Sequence, residues 1–114
     1  MASERPGRCI IRTRDVRFEP YDLEGELQPD MAFLPLSYDR ERDVGTYMIR
    51  MEPGAETIGH THARIEEFLI LEGQLIEDDG TVLRPGDYVS FSPGTRHNSR
   101  TEQGCLLIGF DWAG

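Results

Sequence analysis

The chain has 114 residues, with 12 Lys and Arg against 21 Asp and Glu and a formal net charge of −9. That length suits one domain with a core of its own, expected over residues 1–114. The acidic balance disfavours nucleic-acid backbones and anionic membranes, both of which attract clustered cations. The longest apolar runs, Phe68–Leu71 and Cys105–Phe110, fall far short of the ~20 residues of a membrane span. The opening Met1-Ala2-Ser3-Glu4 lacks the apolar core of a secretory signal, so a cytoplasmic location is expected. In that compartment Cys9 and Cys105 are expected as reduced, buried small hydrophobes.

Gly occurs 12 times and Pro 7 times, no window sustains helical spacing, and short strand patterns recur, so the fold class is all-β, a sandwich or barrel. Residues 1–30 form an N-terminal arm in which Cys9–Thr13 and Val16–Phe18 read as a strand pair or one irregular edge strand and Glu19–Asp30, with Pro20, Gly25 and Pro29, as loop. Met31–Tyr38 is apolar, and Pro35 demotes it to an edge. After a charged turn over Asp39–Asp43, Val44–Met51 is a strand whose inward set is Tyr47, Ile49 and Met51, because the other parity would bury Arg50. Glu67–Leu71 is a strand covered on both faces. Gln74–Glu77 and Thr81–Leu83 make a hairpin about Asp78-Asp79-Gly80. Tyr88–Phe91, a strand starting at His97, and Cys105–Trp112 complete the set.

The chemistry concentrates between Gly54 and Thr101. His60, His62 and Glu66 share a parity, so on an extended strand all three side chains can point one way. His97, the third of three histidines, follows a separate Pro-Gly turn. A lone histidine is more often a satisfied core residue, but three imidazoles and a carboxylate that can converge suit a divalent ion. Imidazole favours Zn, Cu, Fe and Ni, carboxylate favours Mn and Mg, and no cysteine joins the set as in a finger-type zinc site. Four protein donors on an octahedral ion leave two positions for substrate or dioxygen.

The spacing resembles the cupins. Gly54, His60, His62, Glu66 and Gly73 match their first motif without a gap. Gly86, Gly94 and His97 match the second, with Ser92 and Thr101 standing where that motif has Pro and Asn. The run from Glu66 to Gly86 also resembles the cupin domains of some anti-sigma factors and of diketone-cleaving dioxygenases. The resemblance implies a jelly-roll β-barrel (a double-stranded β-helix), a metal on His60, His62, Glu66 and His97, and commonly a homodimer. It does not fix a reaction; the leading expectation is a metal-dependent enzyme, a dioxygenase using Fe(II) and acting on a small oxygenated organic molecule. Zinc, manganese or nickel with isomerase, lyase or decarboxylase chemistry is an alternative, as is a sensor or ligand-binding domain without turnover. Parity suggests a pocket of Tyr47, Ile49, Met51, Phe68, Ile70, Phe91, Ile108 and Phe110. Tyr47 and Tyr88 are candidates to hydrogen-bond a substrate, while Arg50, Arg64 and Arg96 read as solvated.

Overall fold

Alternating apolar and polar residues with frequent turn signals leave backbone N–H and C=O groups to be satisfied between strands rather than within helices. The computed structural model describes residues 5–22, 26–61 and 63–112, and of His60 only the backbone. Among the described residues there are eleven strands and no helix, hence none long and apolar enough to cross a membrane. The strands are β1 (Glu19–Tyr21), β2 (Gln28–Asp39), β3 (Val44–Met51), β4 (His60–Thr61), β5 (Ile65–Gly73) and β6 (Leu75–Glu77). Then follow β7 (Val82–Leu83), β8 (Tyr88–Phe91), β9 (Arg96–His97), β10 (Ser99–Arg100) and β11 (Cys105–Trp112).

Six strands form one sheet in the order β1-β2-β3-β11-β5-β8, and every pairing is antiparallel. A smaller sheet runs β10-β6-β7, and β4 pairs with β9. Residues 54–57 extend the small layer by zipping onto 99–101: Thr57 N donates to Ser99 O at 2.8 Å and Thr101 N to Ala55 O at 3.0 Å. The two layers close as a jelly roll. Its interior holds Phe33, Tyr47, Ile49, Met51, Phe68 and Leu107 from the large sheet and Leu75 and Leu83 from the small one. The corner from β5 to β6 needs Gly73, which sits at φ 75°, where a Cβ would collide with the Gly104 carbonyl oxygen.

The outer face of the large sheet carries a second cluster of Leu34, Met48 and Leu106, packed with Phe18, Leu36 and Ile108. Several sequence expectations shift here. Cys9–Thr13 and Val16–Phe18 are not strands; Cys9 lies at an isolated bridge and is exposed, not buried. Part of the stretch expected as loop is strand instead: β1 forms around the buried Tyr21 and β2 begins at Gln28. Pro20 is compatible with β1 because β1 is an edge strand, where a missing donor costs no ladder bond. The strand holding Pro35 is not an edge; β2 lies between β1 and β3. β1 pairs no further along β2 than Phe33, and the β2–β3 register shifts after Pro35, so the irregularity falls where β2 has one described neighbour. β5 is covered on one face only, with Phe68 and Ile70 buried and Leu71 exposed. Cys105 is buried as expected, and burial pushes its thiol pKa up to about 12.

Candidate functional site

Two strands bring the first pair of site residues together. The alternation of β5 turns Glu66 inward with Phe68, leaving it 7% exposed, and β9 presents His97 at 5% exposure. His97 Nε2 lies 3.1 Å from Glu66 Oε1. On its other side His97 Nδ1 lies 3.0 Å from Oε1 of Glu77, at the end of β6. Ser99, opposite Glu77 in the β6–β10 register, donates its hydroxyl to Glu77 Oε2 at 2.5 Å. Phe91 stacks on the imidazole with ring centroids 3.9 Å apart and planes 12° from parallel. Burial acts to lower the pKa of His97, but hydrogen bonds to Glu66 and Glu77 outweigh it and lift the value to about 9.

Of the four residues expected to hold a metal, Glu66 and His97 are therefore in contact. His60 is placed by its backbone, paired across from His97 in the β4–β9 ribbon. His62 lies outside the described residues. A buried imidazole beside a buried carboxylate is a donor set suited to a divalent transition ion. Glu77 behind His97 adds the carboxylate partner that ligating histidines commonly have.

A cavity of about 290 Å³ opens beside this pair. Tyr47, Ile49, Met51 and Phe68 line it, with Leu107 and Asp111 from β11 and Arg64 from the approach to β5. The other residues expected in a pocket lie elsewhere. Ile70 is buried in the core, and Phe91 backs His97. Ile108 packs in the outer cluster. Phe110 pairs in register with Thr46 and Glu67, two positions along β11 from Ile108, and so shares its outer face. The inward set of β11 is Leu107, Gly109 and Asp111, a parity its continuous apolar run does not announce. Tyr88 is 57% exposed, away from the cavity, with its hydroxyl donating to Glu67 Oε2 at 2.5 Å. Tyr47 donates to Asp111 Oδ1 at 2.7 Å. Its pKa is held well above the usual phenol value by burial and by the charges of Glu66 and Asp111, which keeps it a hydroxyl. Sequence reasoning missed Glu77, hidden beside Asp78 and Asp79 at a hairpin, and Asp111. Glu77 could have been found by its parity with buried Leu75.

A jelly roll whose cavity wall carries a buried histidine paired with a glutamate is the architecture of the cupins. The chain belongs to the ChrR cupin-like domain family, which it matches over residues 7–113. Solved structures share the fold. An RmlC-like cupin from Shewanella frigidimarina is 22% identical at a TM-score of 0.68, over 86% of this chain and 85% of that one. The polyketide cyclase RemF from Streptomyces resistomycificus is 20% identical at 0.72, over 90% and 77%. An acetylacetone dioxygenase from Acinetobacter johnsonii is 17% identical at 0.62, over 71% and 59%. No curated protein matches the chain.

Proposed function

We propose that this chain is a metal-dependent cupin enzyme, a dioxygenase-type oxidoreductase acting on a small oxygenated organic molecule. One divalent ion, Fe(II) first among the choices, would be held by His60, His62, Glu66 and His97. The observation that carries the reading is the buried Glu66–His97 contact at the wall of a cavity with apolar sides. When bound, the ion would supply open positions for a chelating substrate oxygen and for dioxygen, and a path for electrons between them. The residues around it supply selection. A cavity of about 290 Å³ lies at the small end of ligand sites and admits a compact molecule. Ile49, Met51 and Phe68 give one part of its wall an apolar surface. Arg64 can meet an anionic oxygen, and the Tyr47 oxygen, its proton committed to Asp111, can accept a bond from a substrate donor. A homodimer working in the cytoplasm is part of the same proposal.

A second reading is ligand binding without turnover. It is favoured by the engagement of the described cavity carboxylates: Glu66 contacts His97, Asp111 accepts from Tyr47 and Asp43 accepts from Tyr38, so none of the three is poised as a general base. Metal analysis of tag-free protein with oxygen uptake on a panel of diketones and catechols separates the two. Stoichiometric iron with oxygen consumption is expected. Stoichiometric zinc with no oxygen uptake across the panel overturns the dioxygenase reading, and a ligand-induced rise in melting temperature without turnover establishes the second.

A further inference from the structure

We infer that Glu77, braced by Ser99, is a positioning residue that decides which nitrogen of His97 faces the cavity, an assignment that rests on the metal site proposed above. An imidazole has two nitrogens, and the partner of one decides the role of the other. A carboxylate accepts hydrogen bonds and does not donate them, so the nitrogen 3.0 Å from Glu77 Oε1 carries a hydrogen. That nitrogen is Nδ1. By the same rule Nε2 carries a hydrogen toward Glu66 Oε1, 3.1 Å away, while no metal is bound. A metal held between Glu66 and His97 would take the place of that hydrogen, so Nε2 is the nitrogen that becomes the donor while Nδ1 keeps its hydrogen on Glu77.

Each atom of the brace is itself held. The second oxygen of Glu77 takes the Ser99 hydroxyl at 2.5 Å, and the two residues are register partners across β6 and β10. Phe91 covers one face of the ring. Glu77, His97 and Ser99 are all buried, at 8%, 5% and 4% exposure, which limits competition from water for these bonds. Glu77 is absent from the cavity wall, so its influence on a bound ion passes through His97. A carboxylate in that position also raises the basicity of the donor nitrogen, and loss of such partners weakens metal affinity by about 10–100-fold.

The test uses the full chain, stripped of metal and titrated with Co(II) and Zn(II) against a chromophoric chelator, as wild type, Glu77→Gln and Ser99→Ala. Glu77→Gln keeps the shape and removes the charge; it is expected to weaken both metals about 10–100-fold. Ser99→Ala loosens Glu77 without removing it and is expected to weaken them several-fold; it decides the matter if Glu77→Gln does not fold. Long-range proton–nitrogen NMR of the Zn(II)-loaded wild type should show His97 with hydrogen on Nδ1 and metal on Nε2, a signature that a merely structural carboxylate would not govern. In Glu77→Gln the Nδ1–H should exchange with solvent at least tenfold faster. Unchanged affinity in the variants of a metal-loading wild type overturns the inference while leaving the metal site standing, as does hydrogen on Nε2. A wild type that binds neither metal removes the site itself, and this inference with it.

Discussion

Gly109 lies opposite Tyr47 in the β3–β11 register, on the inward face, and a Cβ placed there would meet Tyr47 Cε2 and Cζ at 2.5 Å. Gly109→Ala therefore tests how firmly the Tyr47 ring is seated. The ring cannot retreat freely: it is 2% exposed and packs at 5.5 Å from both Phe33 and Tyr38. Overpacking of a tight interior costs about 1–3 kcal/mol. If the ring shifts, its 2.7 Å bond to Asp111 stretches, and a hydrogen bond to a charged group contributes about 1.5–3 kcal/mol. Against this, replacing Gly by Ala restricts the unfolded chain and returns only about 0.4–1 kcal/mol. A net destabilisation of about 2–4 kcal/mol is expected, large against a total of about 5–15. Urea denaturation followed by Trp112 fluorescence would measure it, with Tyr47→Ala as a second background. There no ring opposes the new methyl, and Gly109→Ala should be neutral or slightly stabilising. Equal stability of Gly109→Ala and wild type, or an equal loss in both backgrounds, would refute the seating of Tyr47 over Gly109.

Two further outcomes follow from titratable groups. In metal-free protein the folded pKa of His97, near 9, lies above its ordinary value of 6.5, so the folded state binds the proton more tightly. Its contribution, at most about 3 kcal/mol, is complete below pH 6.5 and lost as pH rises toward 9. Denaturation of chelator-treated protein at pH 6, 7.5 and 9.5 should show the fall, and His97→Gln should flatten it. With a Cys105 thiol raised to about 12 by burial and Cys9 exposed, a disulfide reagent at pH 8 should modify one thiol per native chain and two after unfolding. Rapid modification of both in native protein would contradict the burial of Cys105.

What could be read in the sequence depended on whether a polar residue broke the symmetry of a strand. In β3, Arg50 excludes one parity, and Tyr47, Ile49 and Met51 indeed face in. In β11, Leu106, Leu107 and Ile108 are consecutive and apolar, and both faces of the strand are packed, so periodicity could not choose between them. Prolines misled in the N-terminal arm, because their penalty depends on whether the missing N–H had a partner, which is a tertiary fact. The hairpin at Asp79-Gly80 was legible because its turn is local chemistry. The Glu77–His97 contact was not, since 20 residues separate the pair and Glu77 meets His97 through the pairing of β6 with β10, the strand that follows β9.

The adjacent carboxylates Glu66 and Glu67 give a prediction that isolates strand register from composition. Glu66 points inward to His97. Glu67 points outward, where Tyr88 donates to it at 2.5 Å and Trp112 Nε1 at 3.1 Å. Because side chains alternate with a period of two, a slip of one residue would exchange these fates. Neutralising each in turn asks which face carries the metal. Glu66→Gln should lower Co(II) affinity at least tenfold, by loss of an anionic donor. Glu67→Gln should leave affinity within twofold, lower stability by less than about 1 kcal/mol as exposed charged contacts do, and shift Trp112 emission. The two variants share composition and net charge, and they differ by one position in sequence. A metal defect in Glu67→Gln equal to that in Glu66→Gln would mean that charge alone, rather than the inward turn of residue 66, governs the site.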